Sequence, residues 1–345
     1  MPSRELTHIE VSENHPAEVL RYHNGNRAIL FREGRLTYQI DIQHAKGVFN
    51  PTVEALNEYL IGQRQIESGD PMLTVGATFD GACPADCSNC PFARSRWKDK
   101  QTSAKPVTPE QLIGFVSQAR QIGIAENVLS PGQPIGIRGY GAGDPSYYQH
   151  LEGIIEAVGR IEGCTSSGWS SIARGKSRQH KHSVLRAVEN GFERVRQENP
   201  AQKLKMQFSI HDTRHAARVE YTGEKDLFPL EDIAESAGNI YRITGRRPNL
   251  VFVLKEGTQV DPEVLINAGL TPDLVVPTCR MMDFSVDSPT GAPMDSNGVT
   301  RIYKEVRSAG FDVAWIPPTP TMDNLPPIEL SKLHTYAMNQ GLLGL

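Results

Sequence analysis

Three cysteines lie close together in the segment GACPADCSNCPF, residues 81–92. Cys83, Cys87 and Cys90 follow the order C-x-x-x-C-x-x-C, in a chain of 345 residues with five cysteines. Thiols at this density are metal ligands or redox groups. A redox pair leaves one of the three unexplained, and a structural zinc needs a fourth ligand that the neighbouring sequence does not offer. A [4Fe–4S] cluster with three protein ligands and one open iron remains, with zinc binding and a redox-sensing cluster as alternatives.

A glycine-rich turn follows a second strand-like segment. It contains Gly141, Ala142, Gly143 and Asp144 in the sequence GAGDP. Glycines let the backbone approach a ligand closely, and a carboxylate accepts hydrogen bonds from an ammonium group. Taken alone, the segment is equally typical of an ordinary turn before a helix.

The cysteine spacing and this turn together resemble the radical S-adenosylmethionine (SAM) superfamily. The resemblance implies a [4Fe–4S] cluster on Cys83, Cys87 and Cys90, with SAM bound to the open iron. It implies reductive cleavage of SAM to a 5′-deoxyadenosyl radical, sensitivity to oxygen, and an external electron donor of the flavodoxin or ferredoxin type. The turn at Gly141–Asp144 then receives the SAM ammonium. The family usually has an aromatic residue before the third cysteine; here that residue is Asn89, and Phe92 is the candidate to cover the adenine.

Further SAM contacts are expected at two strand ends. Ser166 and Ser167, with Gly168, are predicted to end the third strand, and Ser209 and His211 to end the fourth. The resemblance implies that they contact the ribose or carboxylate of SAM, or the substrate. Local turn formation is the alternative for the serines, and a structural role is the alternative for the histidine.

Within the superfamily, the core is most similar to the radical-SAM adenine methyltransferases of ribosomal RNA. The shared short motifs span about residues 74–316 and include FSIH and ITGRRPNLVFVLKEG. Those enzymes carry a methyl group on a cysteine near the C-terminus, and this chain has no cysteine after Cys279. The prediction is therefore a shared core with a different reaction.

Five further residues are candidates for catalysis or substrate binding. Cys279 could donate hydrogen to a product radical or pack in the core, and Cys164 is expected to be buried. Cationic groups suit an anionic substrate. The leading hypothesis is a radical SAM enzyme acting on a small molecule, with phosphorylated or nucleotide-like substrates as candidates. An RNA-modifying methyltransferase-like enzyme and a non-catalytic iron–sulfur sensor are the alternatives. The five candidates are Cys279, Arg280, Asp283, Arg174 and Lys176.

The elements that must position these residues alternate between strand and helix patterns from residue 71 onward. Such alternation predicts βαβ units and a parallel sheet, with ligands at the carboxyl ends of the strands. About six units favour an α/β fold with a partial (β/α)6-type barrel over residues 71–318. Residues 1–70 are predicted to form a small accessory region with a hairpin at Glu33–Gly34 and a following helix, and residues 319–345 a C-terminal extension.

Composition limits the class of protein. The formal net charge of -4 and the pI near 6.2 disfavour a nucleic-acid partner, although they do not exclude one. The polar N-terminus does not resemble a signal peptide, and no apolar run reaches the roughly 18 residues that span a bilayer. Clustered thiols in an odd total favour a reducing compartment. We therefore expect a cytoplasmic protein with a small-molecule substrate and no membrane partner.

Overall fold

The computed structural model describes residues 5–9, 17–21, 27–33, 36–43, 72–75, 108–125, 129–139, 144–180, 183–281 and 294–316, together with Ala85 and Cys87. Within these ranges eleven strands form one sheet, in which each strand lies beside its neighbours in sequence. The strands are β1 Glu5–Ile9, β2 Ala17–Arg21, β3 Arg27–Glu33, β4 Leu36–Gln43, β5 Met72–Val75, β6 Ile135–Gly139, β7 Cys164–Ser171, β8 Lys203–Ser209, β9 Asn249–Leu254, β10 Val276–Met281 and β11 Ala314–Ile316.

The sheet has an antiparallel part and a parallel part. Neighbouring strands from β1 to β5 are antiparallel, and those from β5 to β11 are parallel. The pairing of β3 with β4 confirms the predicted hairpin, whereas β1 and β2 were not predicted. The expected helix over residues 51–66 lies outside the described residues. The domain boundaries at residues 70 and 318 stay predictions.

Helices follow the parallel strands, as the alternating pattern predicts. Six strand–helix units followed by β11 confirm the predicted α/β class. None of the described helices has the length and apolar composition needed to cross a bilayer. The helices are α1 Pro109–Ala125, α2 Leu151–Gly159, α3 Val184–Glu198, α4 His215–Thr222, α5 Leu230–Thr244, α6 Pro262–Asn267 and α7 Ser296–Ser308, with a 3-10 turn at Pro145–Tyr147.

Two helix ends follow directly from the sequence. The Thr108 hydroxyl accepts a hydrogen bond from the backbone N–H of Gln111 at 3.2 Å, and the Gln111 side chain accepts one from the N–H of Thr108 at 2.9 Å. This reciprocal pair satisfies donors that the first turn of α1 would otherwise leave unpaired. The helix α5 ends at Gly245, whose φ of 68° is easily reached by glycine.

One face of the parallel strands packs against the helices. Phe208 of β8 and Phe252 of β9 share a buried cluster with helix residues such as Phe192 of α3. Trp169 of β7 belongs to the same cluster and covers Gly139, where a Cβ atom would come within 2.2 Å of the indole ring. This close packing leaves the opposite face of the strands, called the inner face below, to carry the candidate site.

The strand β7 is longer than predicted. We expected it to end at Gly168, but it continues to Ser171. Gly168 pairs in register with Lys205 of β8, and Trp169 anchors the next part of the strand in the core. The glycine is therefore an interior position of the strand rather than its end.

Candidate functional site

Register determines which residues point to the inner face. Because successive side chains of a strand alternate between faces, and partners in adjacent strands share a face, one known position orients the others. Phe252 lies in the helix-covered core, so Val253 points to the inner face. Arg280 of β10 is the register partner of Val253, and Thr278 is the partner of Val251. Arg280 therefore lies on the inner face, as the sequence-based site requires.

Cys87 lies where the parallel strands end. The residue is half-buried and packs against Tyr221 of α4 and Val253, which is next to the last residue of β9. It also packs against an apolar cluster that includes Ile172, the residue directly after β7. The other members of that cluster are Ala85 and Leu227.

The surroundings of Cys87 suit an iron–sulfur cluster. Such clusters need thiolate ligands, and an apolar shell controls the access of water to them. Cys83 and Cys90 lie outside the described residues, so only Cys87 of the three predicted ligands is placed. Among the side chains that the structure describes, no group of three or more His, Cys, Asp or Glu residues forms a metal site. The Cys87 thiol in its apolar surroundings has the chemistry expected of one ligand of a [4Fe–4S] cluster.

Asp144 joins the glycine-rich turn to the end of β7. Its Oδ1 atom accepts hydrogen bonds from the backbone N–H of Ser146 at 2.8 Å, from the Ser146 hydroxyl at 2.5 Å and from the Ser171 hydroxyl at 2.8 Å, while Oδ2 accepts from the N–H of Ile172 at 2.7 Å. The pKa of Asp144 is raised overall, because the effect of burial exceeds the opposing effect of these four hydrogen bonds. Because Ile172 belongs to the cluster on which Cys87 packs, Asp144 and Cys87 both lie at the end of β7. Gly141, Ala142 and Gly143 lie outside the described residues.

The predicted serine contacts are only partly at strand ends. Ser209 ends β8 as expected, and its hydroxyl shares a hydrogen bond of 3.3 Å with Ser170. The prediction that Ser166 and Ser167 end β7 is wrong, because both lie near the start of the longer strand. Ser167 is the register partner of the core residue Leu204 and faces the helices. The second serine pair of the sequence SSGWSS, Ser170 and Ser171, occupies the end instead.

His211 lies two residues beyond β8 and is 7% exposed. Its φ is 68°, and its ring stacks on Tyr221 with the ring centroids 4.1 Å apart. Its Nδ1 atom is buried and has no hydrogen-bond partner in the described part of the chain. Burial, together with the positive charges of Arg218, Arg280 and Lys255, lowers the pKa of His211 to about 3. The imidazole is therefore neutral at neutral pH.

The two cysteines outside the predicted cluster lie in the core. Cys279 is the register partner of Phe252, so it faces the helices rather than the inner face, and burial raises its pKa to about 12. This position favours packing over hydrogen donation. Cys164 starts β7, where the Nε2 atom of Gln202 donates to its sulfur at 3.1 Å, and burial raises its pKa to about 11.

Two of the predicted anion-binding residues form ion pairs with acidic residues of the chain. Arg174 forms an ion pair of 3.1 Å with Glu224, and Lys176 forms one of 3.5 Å with Asp226. Both pairs join the segment after β7 to the segment between α4 and α5. A structural role is therefore favoured for both, while Arg280 keeps a position on the inner face. Asp283 and Phe92 lie outside the described residues.

The helix α4 supplies site residues that the sequence reading missed. No element was predicted for the segment from His215 to Thr222, which forms a helix followed by Gly223 with a φ of 67°, as glycines after helix ends commonly have. The helix carries Tyr221 and the buried Arg218 to the end of the sheet. The signal in the sequence is Gly223, which follows an eight-residue segment of mixed polar and apolar side chains.

Comparison with solved structures agrees with this architecture. A radical SAM methyltransferase from Sphaerobacter thermophilus matches with a TM-score of 0.55 and 16% sequence identity, over 92% of this chain and 78% of that one. The chain has a radical SAM fold. This confirms the predicted partial barrel and, at the level of the fold, the resemblance to the superfamily. SuiB from Streptococcus suis bound to S-adenosylmethionine matches at a TM-score of 0.45 with 10% identity, over 71% and 49% of the two chains. The sequence matches no protein-family model and no curated protein.

Proposed function

We propose that the chain is a radical SAM enzyme that binds a [4Fe–4S] cluster through Cys83, Cys87 and Cys90. The observation that carries the proposal is the meeting of Cys87 and the Asp144 turn at Ile172. Parallel strands of α/β folds bind ligands at this edge. The shared fold supports a radical SAM enzyme in general, and the cluster and the reaction are our inference.

The residues around Cys87 have distinct roles in this proposal. When bound, the cluster and SAM supply a 5′-deoxyadenosyl radical that abstracts hydrogen from the substrate. Asp144 holds the glycine-rich turn against β7, so that its backbone can approach the SAM ammonium. The apolar side chains of Ile172, Val253 and Tyr221 keep water away from the reacting groups. A flavodoxin- or ferredoxin-type protein is the proposed source of the electron.

We further propose a small, polar and anionic substrate, such as a phosphorylated or nucleotide-like molecule. The support comes from the inner face. Gln207 donates to Ser170 at 3.0 Å, which makes a hydrogen-bonded polar surface beside Ser209. Arg280 lies beyond it on β10, and the exposed Lys205 lies earlier on β8. A cationic and hydrogen-bonding face suits phosphate or carboxylate groups.

Methyl transfer through a cysteine is not supported by the described thiols. In addition to Cys87, these are Cys164 and Cys279, and both lie in the core with raised pKa values. A thiol must be ionised and accessible to accept a methyl group. We therefore expect that SAM with a labelled methyl group leaves no stable label on the protein or on ribosomal RNA. Label on Cys279 would favour the methyltransferase alternative.

The test of the cluster proposal compares matched cysteine variants. The anaerobically reconstituted chain should contain about four iron and four sulfide per chain and, after reduction, give an EPR spectrum that changes when SAM is added. Cys87→Ala should lose the iron and the signal. Cys164→Ala, which removes a thiol from the core, should keep both. Equal iron content and equal spectra in all three proteins would contradict the proposal.

A further inference from the structure

Arg218 is a buried cation with an unusual set of hydrogen bonds. Its side chain lies on α4 and the residue is 1% exposed. The Nη1 atom donates to the carbonyl of Phe228 at 2.9 Å. The Nε and Nη2 atoms are also buried, and in the described part of the chain neither has a hydrogen-bond partner.

The two unpaired donors define the shape of the missing partner. Nε–H and Nη2–H project in parallel from one edge of the planar guanidinium, which matches two oxygens of a carboxylate or phosphate. Burial lowers the pKa of Arg218 to about 10, so the group is still charged at neutral pH. Of the acidic groups that act on it, Asp212 already accepts two hydrogen bonds from the Arg214 guanidinium, at 2.9 and 2.8 Å. The other is Glu231.

Arg218 lies beside the candidate site. It is three residues before Tyr221 on α4, and residues at this spacing share a helix face. Tyr221 stacks on His211 and packs with Cys87. The Lys255 ammonium lies 5.2 Å from the centroid of the Tyr221 ring. A second buried polar atom without a partner, Nδ1 of His211, thus lies in the same neighbourhood.

We propose that the Nε–Nη2 edge of Arg218 binds an oxyanion of a ligand that enters the site beside Cys87. The ligand chemistry is a carboxylate or a phosphate. Its source, which rests on the proposed function, is either the carboxylate of SAM or an acidic group of the substrate. Arg218 provides the directed bonds, while Lys255, directly after β9, and Arg280 of β10 provide positive charge.

The experiment follows the side-chain Nε–H signal of Arg218 by NMR. The full-length chain, labelled with 15N-arginine, is anaerobically reconstituted and kept oxidised, and its iron content is measured first. The Arg218 signal is the one that disappears in Arg218→Lys. Inorganic phosphate and S-adenosylhomocysteine, which carries the carboxylate of SAM but cannot be cleaved, are titrated separately. Arg160, whose Nε and Nη2 atoms donate to Glu198 at 2.8 and 2.7 Å, is the matched internal control because its two-donor edge is already occupied.

A saturable shift of the Arg218 signal with phosphate, but not of the Arg160 signal, supports an oxyanion from the substrate. A shift with S-adenosylhomocysteine alone supports the oxyanion site and identifies SAM as its source. In Arg218→Lys, which keeps the charge but loses the two-donor edge, the dissociation constant for the effective probe should rise at least about tenfold. If this variant does not fold, Arg218→Met provides the assignment.

No shift at Arg218 with either probe up to about 50 mM would overturn the inference, since even a weak site of millimolar affinity would then be occupied. The arginine would be structural, with water as its partner. The titration reports on Arg218 whatever the measured iron content is. A chain that binds phosphate at Arg218 but holds no iron would contradict the proposed function alone.

Discussion

Replacing Asp144 with alanine should weaken both the fold and SAM binding, because this carboxylate holds the glycine-rich turn to β7. The largest loss falls on the N–H of Ile172, a residue that is 5% exposed. A buried donor left without a partner costs about 1–3 kcal/mol. The hydroxyls of Ser146 and Ser171 can rotate toward other acceptors, so their losses are smaller. We expect Asp144→Ala to lower the free energy of unfolding by about 2–4 kcal/mol.

Two variants sharpen this prediction. Asp144→Asn keeps the shape and one acceptor oxygen but places an NH2 group against the N–H of Ile172. We therefore expect it to lower the free energy of unfolding by about half as much as Asp144→Ala. Asp295→Ala is the matched control. Asp295 is exposed and caps α7 by accepting from the N–H of Gly298 at 2.7 Å. Its loss should cost about 1 kcal/mol, as for other helix caps, without an effect on SAM binding.

Urea unfolding gives the free energy of unfolding of each variant, provided that its slope against urea concentration equals that of the wild type. Calorimetric titration of the reconstituted chain with S-adenosylhomocysteine gives the dissociation constants. In the alanine variant of Asp144 we expect weaker binding at unchanged iron content. Stability within about 0.5 kcal/mol of the wild type would show that the four hydrogen bonds do not hold the turn. Unchanged affinity would remove the turn from the site.

Three further predictions follow from individual positions. Burial lowers the pKa of His211 from 6.5 to about 3. Below about pH 6.5 the unfolded chain therefore binds a proton that the folded chain does not. The free energy of unfolding should fall as the pH falls, by up to about 1.4 kcal/mol per pH unit. Urea unfolding between about pH 7 and pH 5 measures this dependence of the free energy of unfolding on pH. His211→Asn should weaken the dependence, whereas replacement of the exposed His215 by Asn should leave it unchanged. The same pH dependence in His211→Asn and the wild type would refute the burial argument. Cys279→Ala should still produce 5′-deoxyadenosine and lose about 1 kcal/mol of stability from a small cavity, and a folded but inactive variant would restore its catalytic role. Gly139→Ala would place a Cβ atom 2.2 Å from the Trp169 ring and should cost about 2 kcal/mol or more, whereas wild-type stability would contradict the packing described here.

Much of the fold was predictable because hydrophobic periodicity reports on elements that bury one face. The segment LKMQFS alternates between buried and exposed side chains as β8 does, and the apolar positions of α5 match the face that it buries. Of the cysteine loop and the GAGDP turn, Cys87 and Asp144 are described, and both lie near Ile172. Cys87 comes after β5 and Asp144 after β6 along the chain, and the parallel arrangement of β5, β6 and β7 allows both to lie beside the end of β7.

What the sequence could not reveal depends on register and on distant partners. Cys279 and Arg280 are adjacent, and only the pairing of β10 with β9 shows that the arginine points to the inner face and the cysteine to the core. Arg174 looked available for a ligand because its partner, Glu224, lies far away in sequence. The proposed role of Arg218 depends on its Nε and Nη2 donors, which have no hydrogen-bond partner in the described part of the chain. No sequence pattern shows whether a donor is paired.

If Cys87 binds a catalytic cluster, the chain should form 5′-deoxyadenosine from SAM. The reconstituted chain, reduced with dithionite in the presence of SAM, should release 5′-deoxyadenosine, which chromatography can quantify. Replacement of Cys83, Cys87 and Cys90 together by alanine should abolish this product, while Cys164→Ala should retain it. Product formation at an undiminished rate in the triple variant would show that these three cysteines do not hold the catalytic cluster.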